Sequence, residues 1–375
     1  MYIKAITTEE EFDKIKDEWL VLEEKVNNKS LTISYHFQRI WWKHFSKVNN
    51  KEFGFDKKLC ILLLYNNKDN LRAIAPFCEV KRKAMKIFSY NSIEFIGQQF
   101  GADYLDLLSK DLTSEEKNYI FNWLRENRKY DLITLQYISN YTKNFDLKSN
   151  NVTILSVCPE INGENYFNIR KEYYSKNLKH KLNRIRNKMK RESKIIKVKI
   201  VKGENILQYF SNIEEISGSK KLSAKKNIYD EIWKRKYVLN ILEELSPYSK
   251  CIFLLYNNKI CAYNWGLRYN NKYYAMDASY SREIKELENY SLGNIIYDEV
   301  IKYTLSNGIT NFCFGTGSES YKFRFTKNII KVFNYFEVGN TLKARYVYKR
   351  KLQLSKKEES RFLEEIKEIL PDFKK

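Results

Sequence analysis

Apolar and polar positions along the chain predict two similar runs of helices and strands. Residues 60–68 read CILLLYNNK and residues 251–259 read CIFLLYNNK, so eight of nine positions are identical at an offset of 191. Trp42 and Trp233 share this offset, and each lies in an amphipathic segment before its strand. Each half then continues with a helical segment and a short apolar strand. A biased composition could produce the nine-residue match alone, but the shared order of elements favours a duplicated unit.

The predicted strands are joined by polar turns that contain paired asparagines, a residue that tolerates the positive φ of two-residue hairpins. These turns are Asn66-Asn67, Asn257-Asn258 and Asn270-Asn271. In the second half, three predicted strands form a meander that is followed by a helix ending at Asn307 and a strand over Asn311–Phe314. The three strands are Cys251–Tyr256, Ile260–Tyr269 and Lys272–Ala278. We therefore expect an α/β protein (α+β mixed sheet) with helices on the faces of the sheet.

A polar stretch with Pro159 and Gly163 predicts a domain boundary after residue 157. We expect an N-terminal domain over 1–157 and a C-terminal domain over 158–342, which includes a basic helix over 175–192. The charged segment 343–375 has a mostly helical pattern. We interpret it as a peripheral C-terminal helix.

The composition limits the expected location of the protein and its expected metal content. No run of 18 apolar residues occurs, so no transmembrane helix is expected, and the first ten residues lack the apolar region of a secretory signal. We expect a cytoplasmic protein. Its six cysteines form no C-x-x-C pair and have no accompanying histidine cluster, so no metal site is expected.

The formal net charge of +21 favours anionic partners such as nucleic acid, an anionic membrane surface or phosphorylated small molecules. The chain is also rich in Lys, Asn, Ile and Tyr, and a biased composition accounts equally well for the net charge. Residues 176–191 hold eight basic side chains and no acidic one. Leu178, Leu182, Ile185 and Met189 form one apolar stripe of a helix. Lys179, Arg184 and Arg186 are candidate phosphate contacts, and a solvated charged face is the alternative.

Two further segments could bind a ligand. Ser291 is a plausible N-cap, and Gly293 leaves the backbone N–H groups of the first turn, from Leu292 to Asn294, open to phosphate oxygens. An ordinary capped helix is the alternative. The second segment is a glycine-containing loop after the strand at 311–314. Its ionisable residues are Glu319, Tyr321, Lys322 and Arg324. A tight turn with its aromatic residues in the core is the alternative.

Asp277 lies near the end of an apolar and aromatic strand. Loss of hydration there would raise the pKa of its carboxyl group, as a general base requires. A surface Asp that starts a turn is an equally good interpretation.

These motifs occur in an order that is similar to the CelD/BcsL-like acetyltransferases of the GNAT superfamily, which are related to the Fem peptidyltransferases. In the first half the resemblance rests on four segments, and in the second half on the basic helix, Ser291-Leu292-Gly293 and Gly317–Phe325. The four segments are Ser34–Phe45, Ala73–Phe77, Phe95–Gly97 and Asp103–Leu108. The Tyr321-Lys322 pair with Glu319 before it is the most specific feature. The chain departs from the family pattern at Cys313, Ser318 and Ser291, where the family usually has Asp, an acidic residue and often Pro.

The resemblance implies tandem GNAT-like domains and acyl transfer from acetyl-CoA or another acyl-CoA. The acceptor would be the nitrogen or oxygen of a small, phosphorylated or nucleotide-linked molecule, and the family is often tied to cell-envelope polysaccharide or amino-sugar metabolism. In this hypothesis the α-helix that follows Ser291 holds the donor pyrophosphate, and Glu319 or Asp277 is the base.

Backbone N–H groups near Met276–Ala278 would stabilise the oxyanion. Tyr321 or Lys322 would orient the acceptor or protonate the thiolate, and the basic helix and Arg324 would hold the acceptor. Two alternatives remain open: aminoacyl transfer from charged tRNA, and a non-catalytic binding module.

Overall fold

A computed structural model describes residues 1–27, 30–84, 88–219 and 227–374. Its contacts divide the chain into two compact units. The first comprises Met1–Val157 together with Ile330–Lys375, and the second comprises Cys158–Ile329. Among the described residues, every helix is too short or too polar to cross a membrane.

Thirteen strands and ten α-helices are assigned within the described ranges. The strands are β1 (Tyr2–Ile6), β2 (Phe55–Tyr65), β3 (Leu71–Ala84), β4 (Phe88–Phe95), β5 (Leu108–Ser109), β6 (Leu132–Ser139), β7 (Val152–Asn162), β8 (Ile196–Lys202), β9 (Ser249–Tyr256), β10 (Lys259–Tyr269), β11 (Lys272–Tyr280), β12 (Asn311–Cys313) and β13 (Ile329–Val338). The helices are α1 (Glu9–Lys14), α2 (Lys16–Lys25), α3 (Tyr35–Phe45), α4 (Ser114–Asn127), α5 (Tyr166–Glu172), α6 (Lys176–Arg191), α7 (Phe210–Gly218), α8 (Ile232–Glu244), α9 (Leu292–Ser306) and α10 (Ala344–Ile369).

The first unit is built on a mixed sheet in the order β1-β2-β3-β4-β6-β13, with β5 paired to β3. Strands β1 to β4 are antiparallel neighbours, whereas β4 and β6 run parallel. Helix α4 supplies the crossover that a parallel pair needs. Strand β2 is buried almost throughout its second half, which accounts for its continuous apolar run.

The second unit repeats this arrangement in the order β12-β11-β10-β9-β8, and the end of β7 pairs with β12. Strands β8 to β11 form an antiparallel meander, and β11 and β12 are parallel with α9 between them. The apolar stripe of α6 and the buried side of α9 pack in one core cluster. The stripe is Leu178, Leu182, Ile185 and Met189, as the spacing predicts.

The predicted duplication and the mixed sheet are confirmed. The nine-residue repeat falls on β2 and β9, each the second of four antiparallel neighbours, β1 to β4 and β8 to β11. Trp42 lies on α3 and Trp233 on α8, the helices that precede these strands. Both meanders lead through a helix into a parallel strand. The C-terminal helix is also present, as α10.

The division of the chain differs from the expected domains at its C-terminal end. Residues from Ile330 onward belong to the first unit, although the sequence pattern assigned 330–342 to the second domain and 343–375 to a separate tail. The reason is long-range pairing: β13 pairs with β6, from Val332 opposite Ser139 to Val338 opposite Leu132. Val347 of α10 then packs on Leu132. An apolar run predicts a strand, but it does not say which strand lies beside it.

Candidate functional site

In the second unit, the parallel strands β11 and β12 separate where their pairing ends. β11 and β12 are in register over three residues, the last pair being Tyr274 and Cys313. β12 ends there, and the Phe314 N–H donates to the Pro159 carbonyl at 3.0 Å, whereas β11 continues to Tyr280 alongside β10. A gap therefore opens beside β11 at the carboxyl ends of a parallel pair. In open α/β sheets, this is where ligands bind.

A β-bulge lies at the edge of this gap. Trp265 on β10 pairs with Asp277, and its neighbour Gly266 pairs with Ala275, so Met276 falls outside the register. A bulge leaves the extra residue without its ladder partner and changes the direction of the strand. Backbone N–H groups near 276–278 are expected from the sequence to stabilise an oxyanion. Of these donors, the Met276 N–H is best suited to a ligand oxygen, because Met276 falls outside the register.

The sequence suggested that apolar neighbours surround the Asp277 carboxylate. In the structure, two tyrosine hydroxyl groups hold it instead. Tyr263 donates to its Oδ2 at 2.5 Å and Tyr229 at 2.9 Å. Trp265 Nε1 in turn donates to the Tyr229 hydroxyl at 3.2 Å. Burial, and next the charge of Asp277, holds the pKa of both tyrosines well above the ordinary value. Both hydroxyl groups therefore remain protonated donors that fix the position of the carboxylate.

Asp277 and α9 lie on opposite faces of the sheet. Ser279, two residues after Asp277, donates to the Ile216 carbonyl of α7. Tyr273 and Ala275, on the other side of β11, pack in the cluster that contains α9. Where β11 and β12 part, one ligand can approach from the α7 face and another from the α9 face.

The N-terminus of α9 is open in an unusual way. Ser291 occupies the cap position with a left-handed backbone (φ 47°, ψ 50°), and its side chain makes none of the predicted capping hydrogen bonds. Its carbonyl accepts from the N–H groups of Asn294 (2.8 Å) and Ile295 (3.2 Å). Asn294, predicted as a phosphate donor, is therefore already engaged. Leu292 and Gly293 carry the first N–H groups of the helix, which have no partner inside an α-helix.

Gly293 is packed against an aromatic ring. A Cβ atom at this position would lie 3.2 Å from Cε1 of Tyr280, which leaves little room for a side chain. The Arg282 guanidinium lies 5.1 Å from the centroid of the same ring. A cation and the positive end of the helix dipole thus occur at the same end of α9, an arrangement that favours an anion.

Lys322 is a buried structural residue of the glycine loop. Its ammonium group donates to the carbonyls of Gly315 (2.9 Å) and Thr316 (3.2 Å) and forms an ion pair with Glu319 at 2.9 Å. Burial lowers the pKa of Lys322, but the Glu319 charge and then Tyr321 raise it more, so the net shift is upward. With three acceptors for three donors, Lys322 shapes the loop. Glu319 itself is largely exposed, at 57% of its side chain.

Tyr321 lies on the α9 side of the gap. Its hydroxyl group is 3.0 Å from that of Tyr297 on α9, and their ring centroids are 5.3 Å apart. Burial raises the pKa of Tyr321, Lys322 opposes this, and the charges of Glu319 and Asp277 add to it. Tyr321 is therefore a protonated donor within electrostatic reach of both candidate bases.

The four predicted acceptor contacts are not brought together. Arg186 donates to the fully buried Asp298 at 2.6 Å and to Glu299 at 2.9 Å, so it joins α6 to α9. Lys179 donates to the Lys171 carbonyl at 2.8 Å. Arg324 is exposed beside the start of α6, where its carbonyl accepts from the Ser175 N–H. Only Arg184 faces an open groove, of about 600 Å³, with Asn187, Lys190 and Arg191.

Sequence reasoning missed Tyr229, Tyr263 and Tyr297. Tyr263 could have been placed near Asp277 by counting residues back along β10 from the Asn270-Asn271 turn. The bulge changes the strand register of this count by only one residue. Tyr297 lies on the side of α9 that packs on Phe314, which an amphipathic pattern could have indicated. No local signal marks Tyr229, because it comes from a different part of the chain.

Cys313 lies against a second thiol, and its Sγ also accepts from the Gly315 N–H at 3.4 Å. Its Sγ is 3.3 Å from that of Cys158, and both residues are fully buried. Within the described ranges, His, Cys, Asp and Glu form no group of three or more that could hold a metal ion.

Comparisons with known proteins agree with this geometry. Residues 176–323 match the family model described as an acetyltransferase (GNAT) domain. This segment contains the parted strands, the open helix and the glycine loop. The second half of the chain is therefore an acyltransferase domain of the GNAT superfamily, and the chain as a whole has the tandem GNAT-like fold that its duplication predicts. A search of curated protein sequences finds no significant match.

Several solved structures share the fold over most of the chain. FemX aligns with a TM-score of 0.58 at 9% identity, covering 90% of this chain and 98% of its own. A conserved protein of unknown function from Bacteroides thetaiotaomicron aligns with a TM-score of 0.54 at 10% identity, covering 89% and 100%. L-PGS from Bacillus licheniformis aligns with a TM-score of 0.50 at 11% identity, covering 90% and 96%. At these identities the likeness concerns the fold alone.

Proposed function

We propose that the protein transfers an acyl group from acyl-CoA to a nucleophilic acceptor in the gap between β11 and β12. The observation that carries this proposal is the parting of the two strands after Tyr274 and Cys313, next to the open N-terminus of α9. Because the segment matches a GNAT acetyltransferase domain, acetyl-CoA is the first donor to test.

The donor would approach from the α9 face. Its pyrophosphate would accept hydrogen bonds from the N–H groups of Leu292 and Gly293, with Arg282 adding positive charge. The pantetheine arm would lie along the unpaired edge of β11, because extended amides can replace a missing strand. The thioester carbonyl would then meet the Met276 N–H at the bulge, which would stabilise the developing oxyanion.

The acceptor would approach from the α7 face, where Asp277 is held by Tyr229 and Tyr263. Asp277 would take the proton as the acceptor attacks the thioester carbonyl. Glu319 is the second candidate base, but it is exposed and paired with Lys322. Tyr321, a protonated donor on the α9 side, would give its proton to the thiolate that leaves.

The first test is titration with acetyl-CoA by isothermal calorimetry. We expect one binding site per chain and weaker binding in the Gly293→Asp variant. The absence of binding at millimolar acetyl-CoA would overturn the acyl-CoA assignment. A thermal-shift measurement on the same samples reports the same ligand by stabilisation of the folded state.

A second candidate is aminoacyl transfer from charged tRNA. It is favoured by the exposed cations of α6, where Arg184, Lys190 and Arg191 line one groove. This candidate predicts tRNA binding that weakens steeply with salt, and transfer that does not require acyl-CoA. The acceptor and its pathway, including cell-envelope polysaccharide or amino-sugar metabolism, are to be found by screening amines and alcohols with labelled acetyl-CoA.

A further inference from the structure

The end of α6 and the edge strand β8 combine exposed cations with exposed aliphatic side chains. We call this the α6–β8 surface, and it consists of six residues: Arg184, Lys190, Arg191, Ile195, Val198 and Ile200. α6 ends at Arg191, and only residues 192–195 separate it from the start of β8. Lys190 and Arg191 therefore lie close to Ile195 along the chain, and Arg184 lines the same groove as these two cations.

The aliphatic side chains lie on the helix-covered face of the sheet but are not covered by a helix. Val198 and Ile200 are opposite Leu254 and Ile252 of β9, which pack on α6 and α9. Residues directly opposite in an antiparallel pair lie on the same face. Nevertheless Val198 is 43% exposed and Ile200 is 41% exposed, and Ile195 in the preceding turn is 70% exposed. Val198 and Ile200 are two residues apart on one face and Ile195 lies three residues before Val198, so the strand edge carries a group of exposed aliphatic side chains, and contiguous exposed apolar surface is typical of interaction sites.

Two of the three cations of this surface are not neutralised by an acid that the structure describes. Arg184, Lys190 and Arg191 are exposed and line a groove of about 600 Å³. Within the described part of the chain, Arg184 and Lys190 have no carboxylate at ion-pair distance. By contrast, Arg186 on the α9 side of the same helix is paired with Asp298. A cluster of like charges is relieved by an anionic partner.

We propose that the α6–β8 surface binds anionic lipid bilayers, with the cations at the lipid headgroups and the aliphatic side chains at the boundary with the acyl chains. Such a combination of basic and aliphatic residues is typical of peripheral membrane contact. Nucleic acid would favour exposed aromatic side chains for base stacking, whereas the apolar residues here are Ile and Val. Pairing of β8 with an added strand is disfavoured by its alternating lysines. The proposal does not depend on acyl transfer.

The test is sedimentation of the full chain with vesicles of phosphatidylcholine alone and of phosphatidylcholine with phosphatidylglycerol. We expect binding to the anionic vesicles only, and weaker binding at higher salt. Because each Lys or Arg near an anionic surface contributes about fivefold, the double variant Lys190→Gln/Arg191→Gln should bind about 25-fold more weakly. The matched control is Lys356→Gln/Lys357→Gln on the exposed side of α10, which should stay within about twofold of the unmodified chain, since those cations lie outside the surface.

A second variant tests the aliphatic part. Ile195→Ser/Val198→Thr/Ile200→Thr should lower binding to anionic vesicles by about tenfold, since less apolar surface enters the bilayer. Its melting temperature and acetyl-CoA affinity should be unchanged. Equal losses in the α10 control and the α6 variant would overturn the proposal, as would no binding of the unmodified chain at low salt. It would also be overturned if tRNA displaced all vesicles and the aliphatic variant bound them normally, because the site would then be one for nucleic acid.

Discussion

The two units contain the same strand–helix–strand element, and the two copies differ at the point where the parallel strands part. In the second unit the parting is open beside Met276 and Asp277. In the first unit, β4 and β6 pair in parallel at Ser92 and Ile93. Beyond this pairing a single buried side chain bridges the strands: Gln98 Oε1 accepts from the N–H groups of Phe95 (3.1 Å) and Gln136 (3.2 Å).

The helices α4 and α9 that follow these strands also differ, because the N-terminus of α4 is capped and that of α9 is open. α4 begins with a complete capping box, in which Thr113 accepts from the Glu116 N–H and Glu116 accepts from the Thr113 N–H. Its first turn is therefore satisfied by the protein and carries negative charge. α9 begins with a left-handed Ser291 whose side chain makes no such bond.

Counted from the last paired residue, Ile96 of the first unit corresponds to Asp277 of the second. The second unit therefore keeps open the backbone groups and the carboxylate to which we assign acyl transfer, whereas Gln98 and the capping box satisfy the corresponding region of the first unit.

The largest expected effect comes from removing the carboxylate that distinguishes the second unit. Asp277→Asn should lower kcat/KM for acetyl transfer by about 10²- to 10⁴-fold, because a general base contributes that much. Glu319→Gln, with its exposed side chain, should lose less than about tenfold. The measurement is steady-state kinetics with acetyl-CoA and the best acceptor found. The opposite order of losses would make Glu319 the base.

The next prediction concerns the two helix N-termini. Gly293→Asp places a carboxylate at the start of α9 and should weaken acetyl-CoA binding by about tenfold or more, since like charges repel the pyrophosphate. Ser114→Asp adds the same charge to the first turn of α4 and should have no effect on binding. The Gly293→Ala variant introduces the steric contact with Tyr280 but no charge, so it distinguishes the steric effect from the electrostatic one. Equal losses in the Gly293→Asp and Ser114→Asp variants would contradict the contrast between the helices.

The bridge in the first unit should contribute to stability but not to catalysis. Gln98→Ala leaves two backbone N–H groups without their acceptor and should lower the free energy of unfolding by about 1–3 kcal/mol. Urea denaturation measures this, with the exposed Gln208→Ala as control. The number of acetyl-CoA sites should remain one, because α4 stays capped. A second site in this variant would show that Gln98 alone closes the first unit.

The smallest expected effect is a pH dependence in the segment that follows Gln98. Burial raises the pKa of Asp106 from 3.8 to about 6, against hydrogen bonds from Thr142 and Asn144. Because the folded state then binds the proton more tightly than the unfolded state, this group's contribution is complete below about pH 4 and is lost as pH rises through 6. Asp106→Asn should therefore be more stable than the parent by about 1–2 kcal/mol at pH 7, and the difference should disappear near pH 4. An equal difference at both pH values would exclude titration of Asp106 as the cause.

Local patterns predicted much of this fold. Helix α6 occupies residues 176–191, where its apolar stripe places it, and β9 and β12 coincide with the predicted strands to within two residues. The duplication followed from the repeat at offset 191 and the shared order of elements. The pairing of β13 with β6 did not follow, because an apolar run carries no information about its neighbour.

The candidate site was predictable as a set of segments but not as an arrangement. The sequence marked Asp277, Gly293 and the glycine loop, each by a local feature. It could not show that Lys322 would be buried against Gly315 and Thr316, or that Arg186 would be paired with Asp298. These outcomes depend on burial and on contacts between residues far apart in the chain. For the same reason, Gln98 gave no indication that it bridges β4 and β6.

The path of the chain has a consequence for how the protein is made. The second unit is one continuous segment, Cys158–Ile329, whereas the first is completed only by Ile330–Lys375. Domains generally fold as their residues leave the ribosome. The second unit can therefore fold before synthesis ends. Until β13 has been made, β6 lacks this partner and has an unpaired strand edge that other chains can bind. A chain cut short just after Ile329 would contain the whole transferase domain attached to an incomplete and aggregation-prone companion.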